Sequence, residues 1–234
     1  MPGISPVSPV RVQPVFDAKT GAVLYLEVFS GVASADWHAR DEAVLSDFVS
    51  LARILSDAET LKAIGFPMAF NISFLSAISC GTNFVTKLHH HFRGNAIMIE
   101  VTEHGAEHMD ARGLDALSAF SLRSRDSGIG IIFDDVEDGH PYRDPSLWTL
   151  CGIQMIKCLA VGHAVNTMIY DAHAMNIAVA LENVETPTQV AAGRATGADA
   201  LQGFALGRPR PLPDLRETHI ERWRRQVIVG GRAC

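Results

Sequence analysis

Strand-like stretches alternate with helix-like ones through most of this chain, and each strand-like stretch closes on a polar or charged residue. AVLYLE ends on Glu27, PMAFN on Asn71, AIMIE on Glu100, GIGIIFDD on Asp134 and Asp135, IQMIK on Lys157 and IAVALE on Glu182. Strands interleaved with helices imply a largely parallel sheet, because a parallel pair needs a crossover connection. In such a sheet the C-terminal strand ends converge on one rim, where ligands bind. There the carboxylates of Glu27, Glu100, Asp134, Asp135 and Glu182 would repel one another unless cations sat between them. The pattern points to a metal site.

The periodicity predicts strands over 10–17, 22–29, 67–72, 96–102, 129–135, 153–158, 177–182 and 200–205. It predicts helices over 41–55, 74–79, 82–92, 110–125, 145–150, 162–175, 187–196 and 214–227. This α/β alternation suggests a (β/α)8 TIM-like barrel rather than an open sheet. The first two strands are separated only by Asp17-Ala-Lys-Thr-Gly21, too short for a crossover helix, so an antiparallel first strand pairing is expected. Residues 1–9 are Pro-rich and read as a linker; residues 10–234 contain no low-complexity break and read as one domain with a C-terminal helix.

Composition narrows the function classes. At 47% apolar residues, the 234-residue chain can bury a sizeable core. Twenty Lys and Arg against 26 Asp and Glu give a net charge of −6, which argues against a broad nucleic-acid face. Arg222, Arg224 and Arg225 read as the wet face of a last helix. No apolar run reaches transmembrane length, so no membrane contact is expected of this segment. The cysteines Cys80, Cys151, Cys158 and Cys234 lack metal-type pairing and read as reduced thiols. The expected location is cytoplasmic, either as a free protein or as the cytoplasmic part of a membrane-anchored one. Consecutive His89, His90 and His91 point in different directions on a helix and read as its solvated end, while Phe120 and Trp148 read as core.

Several short motifs, all in order between about Val12 and Pro211, resemble those of EAL domains. Gln13-Pro14-Val15 and then Glu27-Val28-Phe29 are similar to the opening strands, where that family carries Glu-Ala-Leu. Asn71-Ile-Ser, Glu100-Val-Thr-Glu103, Asp134-Asp135, Ile156-Lys157, Glu182-Asn-Val-Glu185-Thr and Gln202-Gly-Phe resemble the family's later motifs. The resemblance implies a barrel that hydrolyses cyclic di-GMP to linear pGpG. It implies that Glu27, Asn71, Glu100 and Asp134 hold one divalent ion, and that Asp134, Asp135 and Glu182 help hold a second. All-oxygen ligands suit Mg²⁺ or Mn²⁺, with Ca²⁺ expected to bind and inhibit. Two such ions about 4 Å apart can ionise a bridging water and stabilise charge on phosphorus. The resemblance further makes Lys157, Glu27 and Asp134 catalytic and Gln13, Gln202 and Phe29 substrate-binding. Glu103 and Glu185 would support the loop after the strand at 129–135. A homodimer, and a sensor or GGDEF domain in a longer parent chain, are compatible with the family.

The departures open alternatives. Glu-Ala-Leu has become Glu27-Val28-Phe29, and Gly31 stands where the family carries a phosphate-clamping arginine. The loop Asp-Phe-Gly-Thr-Gly reads Asp135-Val136-Glu137-Asp138-Gly139, adding two negative charges that could draw in a cation or, with no metal bound, repel an anionic dinucleotide. Cys158 replaces an aspartate, and Asn183 replaces a glycine whose backbone is expected to be left-handed, which Asn tolerates. A catalytically impaired cyclic di-GMP receptor is therefore a second reading, and a protein-interaction module without nucleotide binding a third. Any one strand-end carboxylate could be an ordinary helix cap; the complete ordered set argues against that.

Overall fold

Eight strands close into a barrel in this computed structural model, which describes residues 8–31, 40–106, 109–160 and 165–230. Most of the expected linker, the start of the helix expected at 162, and Cys234 lie outside the described residues. The order is β1 (Arg11–Asp17), β2 (Val23–Phe29), α1 (Arg40–Ser56), α2 (Ala58–Ile64), β3 (Met68–Ser73), α3 (Phe74–His91) and β4 (Ile97–Thr102). It continues with α4 (Ala111–Asp126), β5 (Gly130–Phe133), α5 (Pro145–Cys151), β6 (Met155–Leu159), α6 (Val165–Ala174) and β7 (Ala178–Glu182). The last elements are α7 (Pro187–Ala195), β8 (Ala200–Leu201), β9 (Arg210–Pro211) and α8 (Glu217–Gly230). Strands β2 to β8 run parallel in sequence order, and β1 closes the ring by pairing antiparallel with both β2 and β8. The short Asp17–Gly21 turn forces that arrangement, as its length suggested: Gly21 N–H donates back to the Asp17 carbonyl at 2.9 Å.

The two-residue period of each strand sorts its side chains. Outward residues such as Leu26, Phe70, Ile99, Phe133, Ile156 and Val179 build the main core between barrel and helices. Inward residues Val15, Tyr25, Ala69, Ile132, Ala180 and Ala200 form a separate buried cluster, with Met98 and Met155 packed against it. Small alanines facing Tyr25 and the two methionines let this narrow interior fill without a channel.

Three expectations change. The helices expected at 74–79 and 82–92 are one helix, α3, because Gly81 is a packing site and not a break. A Cβ there would come within 2.3 Å of the Phe120 ring on α4. Strand β8 is only two residues long instead of running to 205, since the chain turns away at Gly203. Helix α2 and strand β9 were not foreseen. Phe120 and Trp148 are buried as expected. Arg224 is more than a wet-face residue: it donates to the Ile64 carbonyl at 3.0 Å, beside Trp223 packed edge-on against Phe66.

Candidate functional site

Moving two residues toward the rim from each inward plug residue reaches a polar one. Above Tyr25 stands Glu27, above Ala69 Asn71, above Met98 Glu100, above Ile132 Asp134, above Met155 Lys157, and above Ala180 Glu182. Gln202 stands above Ala200 in the same way, and Gln13 above Val15 on the reversed strand β1. One turn of the pleat thus separates an apolar floor from a polar layer.

Lys157 lies at the centre of that layer and is 1% exposed. Its Nζ is 2.7 Å from Glu100 Oε2, 2.9 Å from Glu182 Oε1, 3.1 Å from Asp134 Oδ1 and 3.2 Å from Glu27 Oε2. Glu27 is fixed by two more donors. Asn71 Nδ2 donates to its Oε1 at 2.7 Å and Gln202 Nε2 to its Oε2 at 2.6 Å, while Gln13 accepts from Gln202 at 3.3 Å. Gln13 in turn donates to the Gly207 carbonyl at 2.8 Å. Gln202 thus orients Glu27 directly and Gln13 orients Gln202, whose Oε1 is buried without a partner.

One ammonium does not balance four carboxylates, and the protonation behaviour reflects this. Burial pushes Lys157 down, but Asp134, Glu100, Glu27 and Glu182 outweigh it and hold the ammonium well above the usual lysine range. Burial also opposes Glu27, yet Lys157, Gln202 and Asn71 keep that carboxyl below its ordinary value. Glu100 and Glu182 go the other way, pushed well up by burial and by neighbouring carboxylates despite Lys157. Asp134 is raised for the same reason, burial first and Glu27 behind it. Asp135 is pushed up to about 7 by burial and by the charges of Asp134 and Glu103. Its backbone is left-handed at φ 52°, unusual for a residue with a side chain, and Asn183 shares that conformation at φ 54° as expected.

The cluster fits a hard divalent cation. One oxygen each from Glu27, Glu100 and Asp134 lie within 4.8 Å of one another, a spacing that oxygen ligands of one ion adopt. Glu100 Oε1 and Asn71 Oδ1 are buried with no hydrogen-bond partner, which is rare for polar atoms without a reason. Asp135 and Glu182 flank Asp134 on the wall of a cavity of about 330 Å³ that Phe29, Gln202 and Phe204 also line. A neighbouring cavity of about 360 Å³ shares Phe29 and Pro209 with it and is bounded by Arg11, Gly31, Asp47 and His104. Glu103 lies beside Asp135 and within 3.3 Å of His104 Nδ1. Glu185 is exposed on the cavity wall, and among the described residues its side chain makes no hydrogen bond to the loop after β5.

That loop is held by residues the sequence did not single out. The buried Tyr142 donates its hydroxyl to the Thr102 carbonyl at 3.0 Å and stacks on Phe133 at 4.4 Å. Arg143 pairs with Asp171 at 2.8 Å and with Asp138 at 3.6 Å. Asp138, expected to crowd the site with charge, is 66% exposed and turned toward this arginine. No periodicity marks such loop residues, so only tertiary structure reveals them. Gly31 has a left-handed backbone. Its φ is 70°, and a Cβ would lie 2.4 Å from the Ser8 carbonyl and 2.6 Å from that of Pro9, so no arginine fits this backbone. Cys158 faces the core with its thiol pushed up to about 12 by burial, a packing group rather than a nucleophile. His89 to His91 end α3 on the exposed surface, with His89 Nδ1 3.1 Å from the Ser127 carbonyl.

No family model and no curated protein sequence matches the chain. Solved structures do. The chain is similar to PaMucR phosphodiesterase in its c-di-GMP complex, at 21% identity and TM-score 0.73, covering 89% of this chain and 99% of that one. It is similar to the EAL enzyme Bd1971 in its cAMP-bound form, at 20% identity and TM-score 0.68, over 92% of this chain and 65% of that one. It is also similar to the Bacillus subtilis YkuI protein in complex with c-di-GMP and calcium, at 16% identity and TM-score 0.70. That match covers 94% of this chain and 59% of YkuI. This is the fold of an EAL domain. Among the described residues no helix is long and apolar enough to cross a membrane.

Proposed function

We propose that this protein is a metal-dependent phosphodiesterase that opens one ester bond of cyclic di-GMP to give linear pGpG. The observation that carries the reading is the Lys157-centred carboxylate cluster at the C-terminal rim, with Asn71 and Gln202 bracing Glu27. Glu27, Asn71, Glu100 and Asp134 would hold one Mg²⁺ or Mn²⁺, and Asp134, Asp135 and Glu182 a second. When bound, the two ions supply Lewis acidity toward a water and toward the oxygens on phosphorus.

The chain's own groups do the rest. Lys157, locked among four carboxylates, keeps a positive charge beside the reacting phosphate at any physiological pH and helps orient the attacking water. Gln13 and Gln202 hold Glu27 in one rotamer, and the buried Gln202 Oε1 has no partner within the protein. Hydrolysis adds one water across one P–O bond, leaving a terminal phosphate on one nucleotide and a hydroxyl on the other. Incubating the protein with cyclic di-GMP and Mn²⁺, with chromatography for pGpG, tests this.

A second reading has its own support. Gly31 presents no side chain and accepts none, so a phosphate-clamping arginine at that place is excluded. A receptor that binds cyclic di-GMP without turnover follows if that loss removes productive positioning. Calorimetric binding without pGpG formation would select it.

A further inference from the structure

A carboxylate-walled cavity repels an anionic ligand unless cations offset its charge, and the metal ions proposed above do so only over the carboxylates they ligate. The wall here carries Glu27, Asp134, Asp135, Glu182 and Glu185, and Lys157, the one buried cation among the described residues, is already enclosed by four of the rim's acids. Arg208 is placed differently. It is exposed, has no hydrogen bond or ion pair among the described residues, and its guanidinium carbon lies 4.3 Å from the centroid of the Phe204 ring. Phe204 lines this cavity, as does Pro209 next to the arginine; Arg208 itself stands outside the lining, at the edge marked by that ring, which is 46% exposed.

The turn carrying this pair is rigid. Ala205 N–H donates to the Val184 carbonyl, Leu206 and Gly207 both donate to the Gly203 carbonyl, and each of these bonds is 3.0 Å. Gly203 lies so close to Val184 that a Cβ would come within 2.2 Å of its carbonyl oxygen. Gln13, from β1, holds the far end of the turn through the Gly207 carbonyl at 2.8 Å. A half-exposed ring on a turn tied by these bonds, with a planar cation stacked on it, has less rotamer freedom to lose on binding than an unstacked side chain. The guanidinium's in-plane N–H fork remains available, and that fork matches two oxygens of a phosphate.

We propose that Arg208, oriented by the face of Phe204, is the phosphate-binding cation of this site and clamps a phosphodiester of the nucleotide ligand. The proposal rests on the nucleotide reading above. Phe204 acts as a positioning residue, and Arg208 contacts the ligand.

The test measures affinity of the full chain for cyclic di-GMP with Ca²⁺ present, by calorimetry at two salt concentrations, for the parent, Arg208→Gln, Arg208→Lys and Phe204→Leu. Loss of a charge-assisted fork corresponds to roughly 10- to 100-fold weaker binding. Arg208→Gln should show that loss together with a flatter salt dependence, Arg208→Lys should recover part of it, and Phe204→Leu should fall between. Melting temperatures near the parent's would confirm that none of this comes from misfolding. Parent-like affinity and salt dependence in Arg208→Gln overturn the proposal while leaving the nucleotide reading standing. A parent that binds no cyclic di-GMP at all overturns both.

Discussion

Replacing Lys157 by Met removes the single positive charge from among four carboxylates while keeping the volume of the side chain. The parent ammonium's affinity for its proton is raised well above the ordinary lysine value, so its stabilising contribution is complete below that value. It would be lost only as pH rises through the raised one. At pH 7.5 the variant therefore loses the whole contribution. Taking one partner from a buried ion pair typically costs about 3–5 kcal/mol, because the remaining charge is left uncompensated. Proton uptake by Glu100 and Glu182, both already pushed upward, sets the lower end of that range. A chain of this size shifts its melting point by about 2–4 °C per kcal/mol, giving a drop of roughly 6–20 °C. The deficit should shrink as pH falls toward 5, where the carboxyls neutralise themselves. It should also shrink on adding Mn²⁺, since an ion at 100 times its dissociation constant contributes about 2.7 kcal/mol. Thermal melts in EDTA and in Mn²⁺ at pH 7.5 and 5 give all four values. A variant that melts within about a degree of the parent in EDTA at pH 7.5 would refute this picture of the cluster's electrostatics.

Three other outcomes are expected. Asp134→Asn should weaken both proposed metal positions and abolish turnover, checked by Mn²⁺ titration and product assay; parent-rate cleavage would rule out Asp134 as the shared ligand. Mn²⁺ affinity should fall about tenfold from pH 8 to pH 6, because a carboxyl near 7 on Asp135 must lose its proton before it can ligate a metal. A pH-independent dissociation constant would remove Asp135 from the ligand set. Gly31→Arg should not tighten nucleotide binding and should lower the melting temperature, since a left-handed backbone and two carbonyls stand where its Cβ must go. A stable, tighter-binding variant would mean that residues 8–9 yield readily.

Much of this architecture could be read from strand ends. Glu27, Asn71, Glu100, Asp134, Lys157 and Glu182 each follow an inward apolar residue by two positions, so strand periodicity alone predicts that they share a rim. The antiparallel pairing of β1 with β2 was legible in the short Asp17–Gly21 connection, whereas its pairing with β8 was not. What escaped depends on contacts between distant segments. Gly81 looks like a helix break until Phe120 is seen filling the space of its missing side chain. The charge of Asp138 looks adverse until Arg143, five residues on, is seen drawing it aside. Arg208 has no motif to announce it, because its meaning comes from the ring it stacks on and the cavity that ring lines.

Product analysis of the purified protein with cyclic di-GMP, run with Mn²⁺, with Mg²⁺ and with EDTA, separates enzyme from receptor. Metal-dependent appearance of pGpG, lost in EDTA and in Asp134→Asn, is the predicted result. Intact cyclic di-GMP after prolonged incubation with either metal would contradict the assignment of catalysis to this carboxylate cluster.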